Sequence, residues 1–456
     1  MLGLDVIRAL LSVWTSATSF LLNFWRRVTY ETEAVAIDRP VDKFPASPQA
    51  IKEAADAFVQ SLQTSAVEAL ASRYNENKAC KVLRRLHGSF NVCYFVEFED
   101  GARKTIRIPI TPRLHTPWEK LQSEVATLNY LRAQTSIPVP TVCAFGKDAV
   151  LTSDATQNQM FLISEYIAGV SLMPDQLANA DEITRKRFFL QLFDYLAQLR
   201  SLEFQKIGSL MPGISQSPWV GNIISFSSNS LRIQLPSFIS ARDYMASQYN
   251  ILRQHISSPV ADLSESDSRY ELFALHALQG RFESYSLDPE LLDDGPFVLH
   301  HADLHLCNIL VDADLNIQGI IDWEFVNTVP LRLFTPPLWA IHQEPGLDKL
   351  SYSFFMELFA AAHEDSRFER LFCEWYGKGE FNEAFHLARM IRHPTAMAEV
   401  FAEGFAKKLF ANNIEEAEAE FFSQNPEAAI EATRLATQNS RWTQHLKDTG
   451  WYELEK

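Results

Sequence analysis

Cysteine is scarce in this chain and shows no pairing pattern. The five residues Cys80, Cys93, Cys143, Cys307 and Cys373 are odd in number and scattered without metal-ligand spacing. That usage argues against a disulfide framework and fits a reducing compartment. Positive charge is also short, with 41 Lys and Arg against 57 Asp and Glu and a formal net charge of -16. Such a balance repels nucleic-acid phosphates and mildly suits a cationic small substrate, so nucleic acid is not an expected partner. A comfortable bilayer span is missing as well. The segment Val6 to Trp25 is apolar but is interrupted by Arg8, Ser12, Thr15, Ser16, Thr18, Ser19 and Asn23. Internal repeats and low-complexity tracts are absent. What is present is a globular composition, 47% hydrophobic and 21% charged, with enough apolar residues for a sizeable core.

Within the amino-terminal segment, Val6, Ile7, Leu10, Val13, Trp14, Ala17, Leu21 and Phe24 recur at three- and four-residue steps, one apolar stripe on a helix. Three readings stay open. Arg8, Arg26, Arg27 and the serines and threonines resemble a mitochondrial presequence, with Asp5 out of character. Peripheral membrane contact through residues 6–25 is the second, and a helix packed on the protein itself is the third. The compartment expected for the rest of the chain is the cytoplasm, with mitochondrial or membrane-peripheral placement as alternatives.

The stretch His300-His301-Ala302-Asp303-Leu304-His305-Leu306-Cys307-Asn308, followed by Gly319-Ile320-Ile321-Asp322-Trp323-Glu324, carries the chemistry. Phosphoryl transfer needs little covalent work from a protein and much positioning and charge neutralisation. Asp303 can orient an acceptor hydroxyl and take its proton. Asn308 and Asp322 can hold Mg2+, a hard cation that takes a few protein oxygens together with substrate phosphates. Ile309 to Val311 and Ile317 to Ile321, joined by the turn-forming 312–316, read as a hairpin that brings Asn308 and Asp322 side by side. A zinc reading competes, since His300, His301, Asp303 and His305 crowd into six residues. His300 and His305 equally suit framework roles. Cys307 reads as a small filler or as a redox-sensitive thiol.

His301-x-Asp303-x4-Asn308 with Ile321-Asp322-Trp323-Glu324 resembles the aminoglycoside phosphotransferase and choline kinase branch of the protein-kinase-like fold. Arg107-Ile108-Pro109 and Pro336-Pro337-Leu338-Trp339 are similar to fungal members of that phosphotransferase family, and the resemblance covers roughly Lys81 to Trp339. It implies an α+β, two-lobed fold, with a small antiparallel β-sheet lobe and a larger, mainly helical lobe. Residues 1–50 would form the amphipathic helix and linker, 51–167 the small lobe and 168–456 the catalytic and acceptor-binding lobe. The implied activity is ATP- and Mg2+-dependent transfer of the γ-phosphoryl group to a hydroxyl of a small molecule. A kinase-fold binding protein without transfer is the alternative. His301 would brace the catalytic loop.

The small lobe follows from local signals. A helix is expected over Ile51 to Ser72, then strands over Cys80 to Leu86, Val92 to Glu99 and Lys104 to Ile110, the last two joined by Asp100-Gly101. Gly88, Ser89 and Asn91 occupy the turn that would cover nucleotide phosphates in a kinase-like lobe, although one glycine does not make Gly-x-Gly-x-x-Gly. Arg107 would be the phosphate-bracing cation where protein kinases use lysine, paired with Glu124 on the next helix, with Lys104 as its competitor on the other face of the strand. After a helix over Trp118 to Gln134 and two further strands, Glu165 and Ile167 lie at the hinge, where their main chains would pair with adenine. The larger lobe reads as helical, including Thr184 to Leu202. Trp323, Trp339 and Trp375 suit a cage for a quaternary ammonium or simple core packing.

Overall fold

The computed structural model describes residues 44–154, 156–213, 217–285, 293–341, 347–377, 383–411 and 413–452. The expected amphipathic helix over residues 6–25, with most of its linker, lies outside them. Two helices, α1 (Pro48–Ser61) and α2 (Thr64–Arg73), replace the single helix expected over Ile51 to Ser72. Leu62 adopts an extended conformation between them and bridges Thr152, while the Gln63 amide donates to the Leu151 carbonyl at 2.8 Å. Helical propensity yields there to burial of Leu62 against a neighbouring loop.

Strands β1 (Cys80–His87), β2 (Asn91–Phe98) and β3 (Arg103–Pro109) form an antiparallel meander. The β2–β3 turn needs Gly101, whose φ is +81° and whose Cβ-less backbone lets its amide reach the Phe98 carbonyl at 2.9 Å. Helix α3 (Pro117–Gln134) follows, then β4 (Val142–Ala149) and β5 (Gln159–Glu165), completing a five-stranded sheet of order β1-β2-β3-β5-β4. Alternation along β2 and β3 buries Val92, Tyr94, Val96, Ile106 and Ile108 with Phe161, Ile163 and residues of α1 and α2.

Beyond the hinge the chain is mostly helical, with α4 (Glu182–Ser201), α5 (Ala241–Ile256), α6 (Glu265–Tyr285), and later α7 (Asp348–Ala362), α8 (Ser366–Tyr376) and α9 (Glu383–Arg392). Strand β6 (Phe297–His300) pairs with β9 (Asn327–Pro330), and between them lies the hairpin β7 (Ile309–Val311) and β8 (Ile317–Ile320). Residues Ser47–Lys456 form one compact unit holding two main apolar cores. Helix α3 belongs by sequence to the small lobe, yet Leu121, Val125, Leu128 and Leu131 are buried in the larger core. That packing ties the helix carrying Glu124 to the larger lobe. Trp323, Trp339 and Trp375 are all buried, and each indole N–H donates to a backbone carbonyl, of Ile320, Leu304 and Phe334 respectively. They pack the core and form no cage.

Candidate active site

The β7–β8 hairpin brings Asn308 and Asp322 together. Ile309 faces Ile320, and the Ile321 amide donates to the Asn308 carbonyl at 2.9 Å, so Asn308 and Asp322 emerge together at its open end. Asp312 closes the other end by accepting from the amides of Asp314 and Asn316 at 3.0 and 2.9 Å. The Asn308 carboxamide donates to the Asp303 carbonyl at 2.9 Å, which fixes the span from Asp303 to the hairpin. Asp322 and Phe325 have φ of +65° and +61°. Two left-handed non-glycine residues three apart mark a segment held against its local preference by its surroundings.

His301 is buried, and both ring nitrogens are committed. Nδ1 accepts from the Asp303 amide at 3.3 Å, and Nε2 lies 3.3 Å from the Ile321 carbonyl, to which it therefore donates. Burial holds its pKa down at about 4, so the ring stays neutral as this two-ended brace requires. His300 is likewise neutral, pushed down to about 3 by burial and packed on Phe334. His305 Nε2 lies 2.8 Å from Asp303 Oδ1. With His301 spent on backbone, the histidines do not supply the ligand set that the zinc reading needs. Among the described residues, no group of three or more His, Cys, Asp or Glu side chains comes together to hold a metal. Burial, then the nearby Asp303 charge, raises the pKa of the Cys307 thiol, which favours the filler reading.

Between the lobes lies a dense buried charge cluster. Arg107 on β3 bonds Glu124 on α3 through Nη1, while its Nη2 is 3.3 Å from Glu324 and 3.6 Å from Asp322. Lys104 lies instead over the Phe98 ring, 5.9 Å from its centroid. Glu324 Oε2 also accepts from Lys120 and, at 2.8 Å, from the Asn91 carboxamide. Asn91 thus anchors the end of its turn to the Asp322 segment instead of offering its side chain to a phosphate. Gly88 donates through its amide to the Asn91 carbonyl at 3.0 Å, and Ser89 accepts from Arg113 through its carbonyl at 3.2 Å. The turn's tip, Phe90, packs on Phe325 and Phe226.

Two cations face three carboxylates in this cluster, and the carboxylates do not share them equally. Burial alone would raise the pKa of Glu324, but Lys120 and Arg107 outweigh it and hold the group below its usual value. Asp322 moves the other way, raised by burial and then by the Glu324 charge beside it. Its Oδ1 is buried without a hydrogen-bond partner. That oxygen, 3.6 Å from Arg107 Nη2 and without a hydrogen bond, belongs to the hairpin end that also carries Asn308, and such oxygen donors are the chemistry that a hard divalent cation takes up.

At the hinge, the Glu165 amide donates to the Thr141 carbonyl at 2.9 Å, and Ile167 lies over the β7–β8 hairpin. A Cβ on Gly319 would fall 2.6 Å from Ile167 Cδ1, so only glycine lets the hinge side chain approach the strand this closely.

Sequence reasoning missed Lys120, the hub role of Glu324, and Arg392. Lys120 stands four residues before Glu124 and so on the same helix face, a readable signal. Arg392, 89 residues after Asp303, had no local signal; its guanidinium bonds Asp303 Oδ1 and the Ala302 carbonyl.

Comparison with known proteins agrees with this architecture. The profile of the phosphotransferase enzyme family matches residues 81–330, more than half of the chain. The chain belongs to that family. Its resemblance to the aminoglycoside phosphotransferase and choline kinase branch, and with it the protein-kinase-like α+β fold, therefore stands. Clavilactone A biosynthesis cluster protein Y of Ampulloclitocybe clavipes is 27% identical over 239 residues, 49% of this chain and 54% of that protein. Altered inheritance of mitochondria protein 9 of Meyerozyma guilliermondii is 30% identical over 139 residues, 29% of this chain and 22% of that one. The chain thus spans about half or less of the length of these relatives. Among solved structures, Plasmodium vivax ethanolamine kinase overlaps 84% of this chain and 96% of its own, at 13% identity and a TM-score of 0.42. A type I macrolide 2'-phosphotransferase overlaps 82% and 96%, at 17% identity and 0.38. Among the described residues no helix is long and apolar enough to cross a membrane.

Proposed function

We propose that this protein transfers the γ-phosphoryl group of ATP, with Mg2+, to a hydroxyl of a small molecule. The observation that carries the reading is the convergence of Asp303, Asn308 and the orphaned Oδ1 of Asp322 at one end of the β7–β8 hairpin. Mg2+ held by Asn308 and Asp322 would neutralise charge on the phosphates. The acceptor oxygen attacks the γ-phosphorus, the bond to the β–γ bridging oxygen breaks and leaves ADP, and the acceptor's proton passes to Asp303. Arg107, kept in register by Glu124, is the cation on the nucleotide side, with the Gly88–Asn91 turn above it. The main chains of Glu165 and Ile167 are the adenine partners.

One observation favours the alternative of a kinase-fold binding protein: Arg107 and Lys120 are both already engaged by carboxylates. Incubating a metabolite extract with labelled ATP separates the two. The native protein is expected to yield a labelled product that Asp303→Asn does not, while both are stabilised on heating by magnesium ATP. Equal labelling by the variant, or stabilisation of native protein without any transfer, would defeat the reading.

A further inference from the structure

Resting on that proposed reaction, we infer that Arg392 and His305 form a clamp that positions the catalytic base by taking one of its two oxygens. An aspartate at the edge of a cleft has two soft torsions, and with its side chain 18% exposed Asp303 would sample several orientations. Two groups prevent this. The guanidinium of Arg392 bonds Oδ1, and His305 Nε2 meets the same Oδ1 at 2.8 Å. Among the described residues this leaves Oδ2 uncommitted, so it is the oxygen available to the acceptor hydroxyl.

The clamp is itself held. Arg392 is the last residue of α9, only 8% exposed, with a second nitrogen on the Ala302 carbonyl and its planar head 5.0 Å from the centroid of the Phe226 ring. Phe226 in turn packs on Phe325 and Phe90, at 4.5 and 5.9 Å between ring centroids. The guanidinium therefore links the catalytic loop, the Asp322 segment and the phosphate-side turn. Its Nε is buried without a hydrogen-bond partner, a cost that a residue serving packing alone has no reason to carry. A lysine could supply charge here but not two bonds in one plane.

The test uses the full chain, with Arg392→Gln and Arg392→Lys, in labelled ATP turnover with extract, counting transfer to any acceptor including water. Arg392→Gln is expected to lower kcat about a hundredfold with KM for ATP unchanged, because the base is misplaced and the nucleotide is not. Arg392→Lys should recover part of the loss, as should millimolar guanidinium added to the Gln variant. A folded Gln variant with native kcat, or a rise in KM for ATP matching the fall in kcat, would overturn the clamp. If wild-type protein neither binds nor turns over magnesium ATP, the underlying reaction fails, and the clamp with it.

Discussion

Removing the ammonium of Lys120 while keeping its apolar stem, as Lys120→Met does, tests the reading of the interlobe cluster. Lys120 and Glu324 are 3% and 5% exposed, so neither charge can turn to water. In the variant Glu324 would keep the Asn91 carboxamide at 2.8 Å and the Arg107 guanidinium at 3.3 Å. That guanidinium already serves Glu124 and lies 3.6 Å from Asp322, so three carboxylates would share one cation. Breaking a buried pair from one side costs about 3–5 kcal/mol, chiefly from the charge left behind. At roughly 2 °C per kcal/mol for a protein of this size, the melting point of the nucleotide-free protein should fall by about 6–10 °C. Glu324→Gln alone strands the lysine and should cost a similar amount. Lys120→Met with Glu324→Gln removes both charges and should recover much of the loss, which requires a coupling of at least about 3 kcal/mol in a double-mutant cycle, the cost of one single variant. Melting of Lys120→Met within about 2 °C of wild type, or a double variant less stable than either single one, would refute the reasoning.

Acid should destabilise the protein through His300 and His301. Both are neutral when folded, with pKa values depressed to about 3 and about 4, against about 6.5 unfolded. Their stabilisation is complete above about pH 6.5 and is lost as pH falls toward the folded values, on the order of 3 kcal/mol apiece by pH 4. Urea midpoints that stay level from pH 7 to pH 4.5 would sink this expectation. Gly319→Ala should cost about 1–3 kcal/mol by pressing on Ile167, and weaken ATP binding measured by calorimetry. Adding Ile167→Ala should relieve the clash; no recovery in the pair would show that the glycine matters for another reason.

Local patterns in the sequence carried much of this. The spacing of Asp303, Asn308 and Asp322, the hairpin between the last two, the meander of β1 to β3 and the placing of Arg107 and Glu124 on adjacent elements all follow from residue type and periodicity. Chemistry of this kind is legible because a hairpin end and a helix face bring together residues close in sequence. Tertiary structure decided the rest. It split the first helix at Leu62, because burial against Leu151 and Thr152 outweighs helix continuity. It turned Asn91 inward to Glu324, and it brought Lys120 and Arg107 to the same carboxylate from different elements. It also set Arg392, on a helix far along the chain, against Asp303. No periodicity encodes such meetings, since each depends on where whole lobes pack. The sequence by itself determined the 300–308 loop and the hairpin that pairs Asn308 with Asp322; only the packed lobes decided which cations lie against them.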